Sequence, residues 1–149
     1  MSEAETTPPE ELSSRLAAIG RQLADREAAH REALSEAHRQ AAELHADVTR
    51  ALAAYNREVE AAGAPQLRVA QSPLRPDDKH LRSVQFELAR GRHRAVVTVK
   101  SRGDVTLVGP FRLGKVEGPC KSFPFDSRNE LASALTAFLE SFLEEAATP

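Results

Sequence analysis

The chain has 149 residues, 41% of them hydrophobic, with 20 basic and 22 acidic side chains and a net charge of −2. That size and balance predict one folded domain with an extension, and they exclude a disordered chain and a polycation that binds nucleic acid through bulk charge alone. A single cysteine, Cys120, excludes an intrachain disulfide and a Cys-based zinc site.

Residues 1–9 are small and acidic and end in Pro8-Pro9, which predicts a disordered tail. The start carries no basic and apolar leader pattern, and no apolar run is long enough to span a bilayer, so a soluble cytoplasmic protein without a membrane partner is expected.

From Glu10 to Ala62 there is no proline and a single glycine, Gly20. Alanine, glutamate, arginine and leucine dominate, a composition that favours helix. Apolar residues recur at three- and four-residue steps: Leu12, Leu16, Ile19, Leu23, Leu34, Ala37, Ala41, Leu44, Val48, Leu52, Tyr55 and Val59. A stripe this narrow fits a coiled-coil seam, and the double four-residue step 44-48-52 moves the local repeat toward eleven. At ~1.5 Å per residue the segment would form a rod of roughly 75 Å, which predicts a second helix to cover it. Arg26 or Glu27, and His30, interrupt the stripe between Leu23 and Leu34, which reads as a weak point or register-setting polar layer and equally as a simple kink or frayed region. The expected division is therefore a tail over 1–9, a helical oligomerisation segment over 10–63, and a small domain over 64–149.

Gly63-Ala64-Pro65 ends the helix, with glycine at the cap and proline beyond it. Leu67-Arg68-Val69 reads as a short strand, and residues 72–78 as a loop. The period then changes to two. Val84, Phe86 and Leu88 alternate with polar residues, Ala95 to Lys100 is valine-rich, and Val105 to Val108 follows a turn at 101–104. Phe111-Arg112-Leu113 reads as a fourth strand, after Gly109-Pro110. Turns this short leave no room for crossovers, so the meander must be antiparallel. Gly118-Pro119 and Pro124 mark a loop. Ser127 and Glu130 have capping-box spacing at the start of a last helix, over 128–146. Its face of Leu131, Leu135, Phe138, Leu139, Phe142 and Leu143 has the bulk to cover one side of the sheet. The fold class is α+β: a long N-terminal amphipathic helix, then a small antiparallel meander packed against a C-terminal helix.

Chemical motifs are few. Gly109 to Val116 has the Gly-x4-Gly-Lys spacing of a phosphate-binding loop. However, Val116 stands where a hydroxyl must hold magnesium, and Gly118-Pro119 follows where a helix must open. Arg102-Gly103-Asp104 reads as a turn. His38 and His45 lie seven apart on the long helix, where one ion needs a spacing of four, so with His30 they read as solvated flanking residues. No cofactor, metal site or catalytic set is expected, and Cys120 has no histidine near it in sequence.

Charge is uneven along the chain. Residues 1–63 carry a net of −5, residues 64–126 a net of +6 and residues 127–149 a net of −3. Arg90, Arg92, His93, Arg94, Lys100, Arg102 and Lys115 form the candidate basic surface. It lacks the interleaved exposed aromatics that stack on single-stranded bases. The sequence therefore points first to a non-enzymatic oligomerisation and protein-interaction protein, a homo-oligomer through its N-terminal helix that acts as scaffold or adaptor for a protein partner. A nucleic-acid-binding dimer that uses the basic hairpin is the alternative.

Overall fold

The structure, a computed structural model, describes residues 8–77, 82–115 and 118–148. Its elements are α1 (Pro8–Ala61), a 3-10 turn (Pro65–Leu67), β1 (Ala70–Gln71), β2 (Arg75–Asp77), β3 (Ser83–Arg90), β4 (His93–Lys100), β5 (Asp104–Arg112), β6 (Cys120–Pro124) and α2 (Arg128–Ala146). The α+β class holds: a long helix, an antiparallel sheet and a closing helix. Two compact units divide the chain, Met1–Ala33 and Leu34–Pro149. The division falls inside α1, not at the glycine that ends it, because the second half of the helix supplies core to the sheet.

In the first unit, described from Pro8, the chain is helical throughout. Pro8 and Pro9, expected in a tail, open the helix instead. Proline suits a first turn, where its missing N–H would have no intrahelical partner. Leu12, Leu16, Ile19 and Leu23 are all exposed.

The second unit begins with the rest of α1. Ala37, Ala41, Leu44, Val48 and Leu52 are buried, with Leu34 and Tyr55 packed partly against them and Val59 half-buried. The periodicity assigned these positions to a seam between chains; their own sheet and α2 fill that role. The amphipathic stripe reports burial and does not say what does the burying. At the end of α1, Ala64 N–H donates to Val59 O at 2.7 Å and Gly63 N–H to Glu60 O at 3.0 Å. This pair of bonds needs a left-handed residue, and Gly63, at φ 78°, supplies it. Asn56 then ties helix to sheet: its Nδ2 donates to Val69 O at 3.1 Å and its Oδ1 accepts from Val69 N–H at 3.0 Å.

Strand order is β1-β3-β4-β5-β6, with β2 also on β3 and every pair antiparallel. Several expectations shift. The 67–69 segment is not a strand: Leu67 ends the 3-10 turn, Arg68 and Val69 are irregular and β1 follows them, and the loop expected over 72–78 contains β2. Phe111-Arg112 continues β5 and is not a separate strand; the last strand is β6, where a loop was expected. Gly109-Pro110 misled the reading because a proline normally ends pairing. Here β5 passes through both residues beside a bulge at Arg94/Val96. Gly109 sits at φ 120° against β4, where a Cβ would come within 3.0 Å of Arg94 O; only glycine fits. As an edge strand β6 carries Lys121 and ends in Pro124, both features that discourage further pairing.

Register divides the sheet into two faces. Val84, Phe86, Leu88, Ala95, Val97, Val99, Val105 and Leu107 share the core face. Leu131, Leu135, Phe138 and Phe142 of α2 and the 37–52 stretch of α1 complete the same core. Leu139 and Leu143 pack at its margin. The opposite face crosses four strands as the polar row Gln85, Thr98, Thr106 and Ser122. Ser127 stands at the start of α2 as expected, but its side chain makes no cap bond.

Candidate functional site

The stripe of the first unit is the plainest surface feature. Five large apolar side chains are exposed among the described residues, and four of them are Leu12 at 58%, Leu16 at 57%, Ile19 at 48% and Leu23 at 51%; Leu113 is the fifth. Steps of four, three and four residues place the four on one helical face. Arg26 follows them, exposed, and His30, half-buried.

The candidate basic surface does not assemble as one patch. Arg90, Arg92, His93 and Arg94 lie at the β3–β4 turn. Lys100 and Arg102 lie at the β4–β5 turn, at the far end of eight-residue strands, roughly 25 Å away at ~3.3 Å per residue. Lys115 joins the first group, since Leu113 N–H donates to Arg92 O at 2.8 Å just before it.

Within that group the cations have structural duties. Arg90 Nε donates to Gln66 O at 3.0 Å, and its Nη1 donates to Ala146 O. It thereby satisfies a carbonyl at the negative end of α2. Arg94 pairs with Glu87 at 3.4 Å and donates to Gly91 O at 2.7 Å. His93 is buried, and Arg102 pairs with Asp104 at 2.7 Å. Arg92 and Lys115 stay exposed, and Lys100 is half-exposed. Sequence reasoning could not foresee the Arg90 contact, which joins residues 56 positions apart.

The histidines separate as well. His45, expected to be solvated, is half-buried, with Nε2 2.9 Å from Ser72 O and its ring edge-on to Phe86 at 5.0 Å. His38 is exposed. Among the described residues no group of three or more His, Cys, Asp or Glu side chains is placed to hold a metal ion. Glu36 accepts from Arg39 Nε at 3.0 Å, and that bond holds its carboxyl below the usual carboxylate range.

Two clefts border α2. One, of about 230 Å³, lies between β5–β6 and α2 and is lined by Leu107, Phe123 and Phe138, with Lys121 of β6 and Ser141 of α2 as polar members. The other, of about 440 Å³, separates Leu44 and Val48 of α1 from Leu131, Leu135 and Leu139 of α2. Both are mainly apolar. The phosphate-loop look-alike is spent on structure: Gly109 to Arg112 are in β5, Gly114 and Lys115 are in the following turn, and Val116 lies outside the described residues. Cys120 is exposed on β6. No helix among the described residues is long and apolar enough to cross a membrane. No family profile, curated protein or solved structure matches the chain.

Proposed function

We propose that this chain is a non-enzymatic oligomerisation and protein-interaction protein, a homo-oligomer joined through its N-terminal helical segment. Copies of the α+β unit are thereby presented together to a protein partner. One observation carries the reading: Leu12, Leu16, Ile19 and Leu23 stand exposed in line on one helix face. A single exposed leucine is ordinary, whereas a contiguous apolar stripe marks a binding surface. A second amphipathic helix is the occupant that such spacing fits. The scatter of the basic residues, several of them already paired, favours a protein over a nucleic acid as the outside partner.

Sedimentation over a wide concentration range tests this. The mass should rise above the 16.3 kDa of one chain, and Leu16→Asp with Ile19→Asp should return it to that value. A wild-type chain that stays monomeric at the highest concentration refutes the proposal.

A further inference from the structure

The orientation of the pairing follows from the residues around the stripe, given the oligomerisation reading above on which it rests. Leu12, Leu16, Ile19 and Leu23 occupy alternate d and a positions of a heptad. The next two positions in the same phase are Arg26 and His30. In a parallel pair each position meets its own copy, so Arg26 stacks on the partner's Arg26 and His30 on the partner's His30. Two guanidiniums then share a layer immediately after the last leucine, a repulsive arrangement that also costs desolvation.

Reversing one helix removes that clash. Position a now meets d, so Leu12 lies opposite the partner's Leu23, and Leu16 opposite the partner's Ile19. All the apolar layers close on one another. Arg26 comes level with the partner's Pro9, in the first helical turn, and no longer with its own copy. The like-charge layer is thereby removed.

Gly20 supplies an independent observation. Glycine is the costliest non-proline residue inside a helix, and nothing lies within 4 Å of the place its Cβ would take. The single chain therefore gives no reason for it. In an antiparallel pair one flank of the seam faces the same flank of the partner, which sets Gly20 against the partner's Ser13. Two small residues there let the backbones approach closely. In a parallel pair Gly20 would instead face the partner's Arg15, where its lack of a side chain serves nothing.

We infer that two copies of this chain pair antiparallel through Leu12, Leu16, Ile19 and Leu23, with Gly20 and Ser13 on the closely packed flank and Arg26 clear of the partner's Arg26. The test uses the full chain with Cys120→Ser and a spin label at Ala28→Cys, outside the seam. Antiparallel pairing sets the two labels roughly 30 Å or more apart, from ~1.5 Å of rise per residue. Parallel pairing sets them at about 15–20 Å, close to the interaxial spacing of packed helices plus their radii. The long distance is expected. A short distance overturns the orientation while leaving oligomerisation standing, and no dipolar coupling at high concentration overturns both. Gly20→Leu is the second arm. It should raise helix content yet weaken association about tenfold or more by overpacking the close flank. Unchanged association would overturn the close-flank assignment.

Discussion

One stripe of apolar residues is core along part of α1 and, in the proposed oligomer, a seam along the rest, and paired substitutions separate the two. Leu44 is 4% exposed and belongs to the core shared with the sheet and α2, whereas Leu16 is 57% exposed. Leu44→Ala removes buried methylene and methyl groups worth about 0.8 kcal/mol each in transfer. A residual cavity adds to that, so the expected loss is about 3 kcal/mol. For a unit of this size 1 kcal/mol corresponds to about 4 °C in Tm, giving a fall of about 12 °C. Leu16→Ala leaves no cavity in the single chain and should move its stability by less than ~0.5 kcal/mol. Thermal unfolding of the full chain followed by circular dichroism, at low and high protein concentration, reads both. Leu44→Ala should lower Tm at every concentration. Leu16→Ala should abolish any dependence of Tm on concentration and leave the dilute Tm unchanged. Equal shifts from the two variants would refute the division of the stripe.

Other outcomes follow from single contacts. Phe142, fully buried, should cost about 3–5 kcal/mol as alanine, measured by urea unfolding. Arg90→Met should lose about 1.5–3 kcal/mol, because it removes charge-assisted bonds to Gln66 O and Ala146 O. Arg92→Gln, at an exposed position of the same turn, should stay within ~0.5 kcal/mol. Gly109→Ala should destabilise by at least about 1 kcal/mol, since φ 120° and the approach to Arg94 O both penalise a Cβ; an unchanged midpoint would show that β5 can shift there.

The fold was legible where a residue's neighbours in sequence decide its state. The period of two in β3 to β5, the glycine cap of α1 and the face of α2 are local signals, and each is found where the pattern puts it. The reading failed where the deciding partner is distant. Nothing in the spacing of Ala37, Ala41, Leu44, Val48 and Leu52 distinguishes a sheet from a second helix as the surface that buries them. Nothing near Gly109-Pro110 announces that β4 accommodates the pair beside a bulge. The basic residues illustrate the same limit: a sequence cluster becomes two groups at opposite strand ends, with Arg90 committed to the end of α2. Periodicity reads Leu12 to Leu23 as a seam, but it does not tell that they stand exposed while Leu44 and Val48 are buried.

The continuity of α1 bears on the rate of the proposed association. Starting a helix is the unfavourable step, with a statistical weight of ~10⁻³, while each added residue is close to neutral. In this chain the packed 37–52 stretch already holds helical geometry through its contacts with the sheet, and the ladder runs unbroken back to Pro8. The exposed segment therefore only propagates a helix that the folded unit has nucleated. In the proposed oligomer two such segments would meet as formed helices instead of coupling folding to encounter. Association is then governed by diffusion and orientation, and mutations in the segment should act mainly on dissociation.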